Sequence, residues 1–595
     1  MTRVPLRPLA RILDARAKGE NPDAIERENL RLRHEQMRDR ARGRAQTRLA
    51  FLALCFFSAF ITIGARMGTL AATDPVEPRT ASRGAEIEAS RADITDRNGR
   101  ILATNMVTHA LYVQTRDLVD PGRVAHELAG IFPELDEAAL LRRFTDGRSF
   151  LWVRKVLSPE QVQKVHEIGD PGLYFGPREM RLYPNGTLAA HVLGGASFGA
   201  EGVDSAEVIG MAGLEKFEDE RLRDPAQAGT PLVTSLDLTV QAAVEEVLAA
   251  GAMMMNAKGG AAILMDVDTG EIVSLAAWPT FDPNDRPANP TSGEPSDSPL
   301  FNRAIQGIYE LGSTFKIFAA AQAIDLGLVT PETLVDANAP MKYGKFTIKE
   351  FENHNYGPML SVADIIARSS NVGTAHIAMM IGGERQQAFL KSLGLFDPSP
   401  VELVEAKYAR PLRPDRWPEI VTITAAYGHG VSGSPMNLAT AYATIANGGI
   451  KVTPTLLKRT TPMQGERVMR PETAAVAVAM MRRVVTEGTA SLAEVPGYAV
   501  AGKTGTADKT RKGGGYYDDK VINTFASVFP ANDPRYVLVV TLDEPVETTG
   551  PKPRRTAGWT AVPVAAEIVR RAAPLLGLRP QVEAVPLNGL TAVKN

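Results

Sequence analysis

Residues 49–65 read LAFLALCFFSAFITIGA, seventeen positions without a charge, bracketed by Arg48 and Arg66. A membrane core of about 30 Å needs roughly twenty helical residues, so this run is at the short end. Arg66 can snorkel toward the headgroups, which lets the helix continue to Ala72. A core helix of a globular domain seldom lacks a polar face, and a 48-residue head is too long for a signal peptide. The pattern predicts an uncleaved anchor over 49–72.

The pattern changes after the anchor. Residues 73–82 carry Pro, Arg and Thr and read as a linker. Over 83–228, strand-like runs (ALYVQ, SFLWVRKV) alternate with helix-like runs (GRVAHELAGIF, SPEQVQKVHEI), with turns at Asn98-Gly99, Asn185-Gly186 and Gly194-Gly195. This predicts an irregular α+β region with no catalytic constellation, a spacer or docking module. Near Leu232 a periodic helix begins, with Asp237 as its N-cap. GAAILMDVD and EIVSLAAWP then flank Asp268-Thr269-Gly270, a hairpin signal. Residues 282–300 are a polar loop, and helical patterns dominate 309–500. Strand-like runs return at YAVAGKTGTA, TFASVFPAN and YVLVVTLDEP, before a last helix in VPVAAEIVRRAAPLLG. Strands from both ends of a segment with helices between them predict an α/β sandwich carrying a helical subdomain.

Charge adds topology. Residues 1–48 hold 13 Lys/Arg and 7 Asp/Glu, whereas the remainder is net acidic. A basic head before an apolar run predicts a cytoplasmic N-terminus and an exported remainder. The formal net charge of -2 gives no sign of a nucleic-acid partner. Cys55 is the single cysteine, and the eight histidines lack a helical ligand spacing, so no disulfide, no metal and no cofactor are expected.

Three short motifs carry chemistry. Ser313-Thr314-Phe315-Lys316 stands at the start of a long apolar-periodic helix. Residues at i and i+3 share a helix face, and a neutral lysine within reach can take the proton of a serine hydroxyl. At a helix start, free backbone N–H groups also face a developing oxyanion. Ser369-Ser370-Asn371 lies between two helical runs; alone, it reads as an ordinary N-cap. Lys503-Thr504-Gly505-Thr506 ends an apolar strand run. A strand edge offers backbone groups to an extended peptide, Lys503 offers charge to a carboxylate, and Gly505 leaves room for a close approach. The spacing of a P-loop is absent.

Together and in this order, the three resemble the S-x-x-K, S-x-N and K-T-G set of penicillin-binding proteins and serine β-lactamases. RADITDRNGRILATN, RLYPNGTLAAHVLGG and GLEKFEDERL resemble landmarks of the noncatalytic pedestal in class B penicillin-binding proteins. FNRAIQGIYELGSTFK and AGWTAVPVAAEIV also match, so the likeness covers 83 to about 577. Ala92 stands where glycine is expected, and Glu310-Leu311 where proline commonly precedes Gly-Ser. Without a glycosyltransferase-like segment the chain resembles class B, and Ser-Ser-Asn-Val-Gly resembles the division type (FtsI, or penicillin-binding protein 3) rather than the elongation type.

The resemblance implies a five-stranded sheet with helices on both faces plus a helical subdomain, behind an α+β pedestal and one transmembrane helix. The implied division is a cytoplasmic tail 1–48, anchor 49–72, pedestal 73–228, transpeptidase 229–577 and a tail 578–595. Ser313 is the implied nucleophile toward D-Ala-D-Ala stem peptides of peptidoglycan and toward β-lactams. Lys316 is the implied base, Ser369 a proton relay and Asn371 a contact to the substrate amide. Lys503, Thr504 and Thr506 hold the terminal carboxylate, and the backbone N–H groups of Ser313 and Thr506 form the oxyanion hole. Implied partners are the membrane, an FtsW-type glycosyltransferase and other division proteins, at the septum of the inner membrane. A β-lactamase would need a deacylating segment such as E-x-x-L-N, which is absent. An elongation-type enzyme and a non-catalytic β-lactam sensor or scaffold remain as alternatives.

Overall fold

The computed structural model describes residues 7–72, 91–201, 206–227, 229–461, 463–511 and 514–581. The expected linker 73–82 lies outside the described residues, as does the tail from 582 on. The chain divides into two compact units, Met1–Ala85 and Glu86–Asn595.

The first unit is helical, Arg7–Ala17 and then Pro22–Ala72. The second helix passes from the basic head into the apolar run without a break. Its 51 residues correspond to about 77 Å at 1.5 Å per residue. Arg48–Met67 is the one stretch, among the described residues, long and apolar enough to cross a membrane. Its mean hydropathy is 1.9 and none of it is buried. Phe51, Phe56, Phe57 and Phe60 all point outward. A core helix would have those rings packed against other elements, so this observation removes the core-helix alternative.

In the second unit, strands Ile101–Gln114, Phe150–Leu157 and Leu173–Leu182 form an antiparallel sheet. Leu111 and Val113 face helices Pro121–Ile131, Glu137–Thr145 and Pro159–Ile168, closing a small core with Leu128, Phe132 and Phe144. Ser158 starts the third helix with a capping box to Gln161, as its S-P-E-Q sequence requires.

The three pedestal landmarks meet in one buried ion cluster. Arg91 comes from the first, Arg181 and Tyr183 from the second, Glu215 and Asp219 from the third. Arg91 Nε and Arg181 Nε each donate to Glu215 at 2.7 Å, Tyr183 donates to it at 3.2 Å, and Arg91 also reaches Asp219 at 2.8 Å. Glu215 is fully buried. Glu215→Ala strands two buried guanidinium groups, an expected loss of about 3–5 kcal/mol. Thermal unfolding of the full chain in detergent reads this; an unchanged transition would refute the cluster's structural role.

The larger sheet has five strands: β1 (Gly259–Asp266), β2 (Ile272–Trp278), β3 (Ala501–Thr510), β4 (Tyr516–Phe529) and β5 (Tyr536–Asp543). Their order is β3-β4-β5-β1-β2, and every pair is antiparallel. β1 and β2 form the expected hairpin, where Gly270 turns at φ +72; a Cβ there would lie 2.2 Å from the Thr453 carbonyl oxygen. β4 begins at Tyr516, earlier than the apolar run that signalled it, because its first residues are polar. Helices α1 (Leu238–Met254) and α7 (Ala561–Leu575) cover one face. Asp237 caps α1 as expected, accepting from Thr239 N and Val240 N. The other face meets α5 (Pro435–Ala446) and α6 (Pro471–Thr486). α2 (Lys316–Asp325), α3 (Val362–Arg368) and α4 (Asn371–Ile381) belong to the helical subdomain. Two short two-stranded sheets in that region, Leu334–Asp336 with Met359–Ser361 and the hairpin Met341–Tyr343 with Phe346–Ile348, carried no sequence signal. One buried core runs from Ile94 and Leu102 of the pedestal through the sheet to Ala573.

Candidate active site

The three motifs converge on one cleft of about 490 Å³. Ser313, Ser369, Asn371, Thr504 and Thr506 line it, as do Tyr356, His429 and Trp559. Gly312–Phe315 form a tight 3-10 turn, so α2 proper begins at Lys316 rather than at the serine. The turn is held from below by Tyr442 of α5, whose hydroxyl donates to Thr314 O at 2.8 Å. Ser313 is half-buried at the cleft floor, and its hydroxyl makes no hydrogen bond among the described residues.

Lys316 and Lys503 are both buried, at 1% and 0% exposure, and both reach the same atom. Ser369 Oγ accepts from Lys316 Nζ at 3.1 Å and from Lys503 Nζ at 2.9 Å. Lys316 Nζ also donates to the Ser369 carbonyl oxygen. With both oxygen lone pairs so engaged, the hydroxyl proton of Ser369 is free to point elsewhere.

Ser369 gets there by an uncommon backbone. It ends α3 in the left-handed region, φ +63. A non-glycine residue there costs of order 1 kcal/mol and persists only where its surroundings demand it. Here the twist turns the serine's hydroxyl and carbonyl to the two lysines. The neighbouring Ser370 does the ordinary work of an N-cap for α4, accepting from Gly373 N at 3.0 Å. Local spacing does not separate the two serines; the S-x-N resemblance named Ser369 as the relay, and Ser370 is the cap.

Burial explains the lysines' ionisation. It lowers Lys316 to about 7, opposed by the Glu350 carboxylate. Lys503 is pushed well down, first by burial and then by the charge on Lys316.

Glu350 escaped the sequence reading because its segment, TIKEFENH, has no distinctive spacing. It is buried and caps α4 from outside, accepting from Asn371 N at 2.7 Å, Val372 N at 3.1 Å and the Ser370 hydroxyl at 2.6 Å. A carboxylate on free helix N–H groups is well placed electrostatically. Asn371 anchors its side chain to the Lys349 carbonyl at 2.8 Å.

β3 is the sheet edge, as expected for Lys503–Thr506. Strand alternation sends Lys503 and Gly505 toward the serine turn. Thr504 and Thr506 go to the other side, meeting Thr489 at 2.7 Å and Ala557 N at 3.0 Å. Packing gives Gly505 a reason of its own. A Cβ on it would stand 2.3 Å from the Leu311 carbonyl oxygen and 2.9 Å from Thr314 Cγ2, so the glycine lets the strand pack on the serine turn. The Ala557–Trp559 turn supplies a further wall that no chemical motif had marked.

Comparisons with known proteins agree with one another. Residues 260–570 match the model for "Penicillin binding protein transpeptidase domain", and 86–231 that for "Penicillin-binding Protein dimerisation domain". The chain is 34% identical to the "Probable peptidoglycan D,D-transpeptidase FtsI" of Caulobacter vibrioides, with 94% of each chain covered. It is 28% identical to the "Peptidoglycan D,D-transpeptidase FtsI" of Escherichia coli K12, covering 77% of this chain and 80% of that one. The crystal structure of penicillin-binding protein 3 from Mycobacterium tuberculosis, complexed with aztreonam, aligns with a TM-score of 0.63 and 26% identity, over 83% of this chain and 98% of that one.

Proposed function

The chain belongs to the class B penicillin-binding proteins of the FtsI type, serine D,D-transpeptidases of peptidoglycan, and we propose that it cross-links septal peptidoglycan during cell division with Ser313 as its nucleophile. One observation carries the assignment of residues: two buried lysines converge on Ser369 Oγ beside an unbonded Ser313 hydroxyl, at a sheet edge open to an extended peptide.

In the first half-reaction Ser313 Oγ attacks the carbonyl of the penultimate D-Ala, and Lys316 takes its proton. The backbone N–H groups of Ser313 and Thr506 receive the oxyanion. Ser369 passes a proton to the leaving amine, its own being replaced from Lys316, and terminal D-Ala departs. Lys503, with Thr504 and Thr506, holds the terminal carboxylate, an anion that restores the positive charge burial had depressed. Asn371 contacts the substrate amide. In the second half, an amine of a neighbouring stem peptide attacks the acyl-enzyme and releases Ser313. A β-lactam follows the first half and stays on Ser313, in keeping with the aztreonam complex of the Mycobacterium tuberculosis relative.

The apolar helix anchors the protein in the inner membrane, with the basic head cytoplasmic and the second unit periplasmic. Its small residues, Ala50, Ala53, Ser58, Ala59 and Gly64, allow close approach of a polymerising glycosyltransferase of the FtsW type. Depletion in its own bacterium is expected to give long unseparated cells, with the protein at midcell and no loss of cell width control. Round cells that still divide would assign it to elongation. D-Alanine release from a stem peptide by the full-length protein in detergent tests the chemistry separately.

A further inference from the structure

Glu310, one residue before the Leu311 that takes the place of the common proline, is buried three residues before Ser313. Its carboxylate forms a triangle with His429 of the cleft wall and Tyr516 of β4. Tyr516 Oη donates to Glu310 Oε1 at 3.0 Å and lies 3.1 Å from His429 Nε2. His429 Nδ1 lies 3.1 Å from Glu310 Oε2, an ion-pair contact angled away from a full hydrogen bond, and Oε2 has no other partner. Gly430 N donates to Oε1 at 2.9 Å, and the imidazole stacks on the Tyr516 ring with centroids 5.1 Å apart.

A neutral imidazole beside an ionised Glu310 cannot satisfy this triangle. Tyr516 has one proton. If it goes to Glu310, Nε2 must carry a hydrogen to meet the phenol oxygen, and Nδ1 needs another to face the carboxylate. If instead the phenol protonates Nε2, its oxygen faces Glu310 Oε1 across 3.0 Å with no hydrogen between them. With Glu310 ionised, only an imidazolium gives every contact a hydrogen.

The triangle also bears on the nucleophile. A Cβ on Gly428 would lie 2.2 Å from Gly312 O, so the 427–430 loop rests directly on the serine turn. On the turn's other side, a Cβ on Gly312 would lie 2.9 Å from Thr506 O of β3. Tyr516, on β4 opposite Thr510, closes the outer end.

We propose that His429, held as an imidazolium between Glu310 and Tyr516, is a positioning residue that locks the 427–430 loop and the start of β4 against the turn carrying Ser313. This rests on the reading of Ser313 as nucleophile. The ionisable groups facing the imidazole are Glu310 before the turn, Asp508 on β3, Tyr516 on β4 and Tyr427 on its own loop. Contact with Glu310 raises its pKa, against burial, and Asp508 adds to the rise. A raised folded value means the lock is complete below the unfolded pKa of about 6.5. It is lost as pH climbs through the folded value. Lys316 works in the opposite sense, gaining competence above about 7.

The test is the acylation rate of full-length protein in detergent by a fluorescent penicillin, followed from pH ~6 to ~9. The wild type should rise as Lys316 deprotonates and fall on an alkaline limb as His429 loses its proton. Glu310→Gln should move that limb down by a pH unit or more, about tenfold in rate at its steepest, and leave the acid limb in place. Tyr516→Phe should shift it the same way, and His429→Gln should remove it. As a second measurement, the wild type's unfolding temperature should drop more than that of His429→Gln as pH rises across the same limb. A uniform loss of rate in all three variants with both limbs unmoved would overturn the proposal. Failure of the wild type to be acylated at any pH would remove Ser313 as nucleophile, and this inference with it.

Discussion

Ser313→Ala is expected to abolish labelling by a fluorescent penicillin while leaving the fold intact. Ser313 is the one serine in the chain with a lysine three residues on, and its hydroxyl is the one at the cleft floor left unbonded by the two lysines. Removing an oxygen that bonds to nothing costs little stability, because a half-exposed serine gives up only its hydration. The chemical loss is complete, since no acyl bond can form. Peptide mapping of the labelled wild type should recover the label within the segment around Ser313. Label on Ser369, which sits on the same cleft and between the same lysines, would reverse the roles of the two serines.

Lys316→Arg is expected to lower acylation by about 10³-fold or more, because a guanidinium cannot give up its proton at working pH. Burial holds Lys316 near 7, so a large share is neutral under ordinary conditions. Wild-type acylation should therefore climb as pH rises through about 7, and the variant should show no such limb. Arginine is bulkier and the site is closed, so Lys316→Met is the companion variant. It keeps the length and drops the charge, and its unfolding temperature should match or exceed that of the wild type, because no buried ammonium remains to be desolvated. Near-normal acylation by both variants would give the role of base to another group. Lys503 is the nearest candidate, sharing Ser369 Oγ at 2.9 Å.

Both predictions use residues found by spacing alone, and this marks what the sequence by itself determined. Ser313 and Lys316 are three apart on one turn, and backbone geometry fixes their shared face whatever surrounds them. The apolar run of 49–65, the Asp237 cap, the Asp268-Thr269-Gly270 hairpin and the edge strand at Lys503 are local in the same sense. Each depends on residues within one or two turns of chain, so each could be read from its own segment.

Tertiary structure decided everything that joins distant segments. Ser369 and Ser370 are adjacent and identical, yet one twists to φ +63 to meet Lys316 and Lys503, and the other caps α4. Glu350 became the cap's carboxylate only when its loop folded over α4. Gly505 is required by the Leu311 carbonyl, a neighbour its own segment does not reveal. Lys503 is depressed by its burial and then by Lys316 beside it, and nothing in either motif reveals that the two amines share one oxygen. The same holds for Glu310, which in sequence is one acidic residue near the serine turn and in space is the counter-charge of His429. The reason is one of range: helix caps, turns and alternation are set by steric and hydrogen-bond rules over a few residues. Ionisation, close backbone approach and the choice between two like side chains depend on what is desolvated together, which packing alone determines.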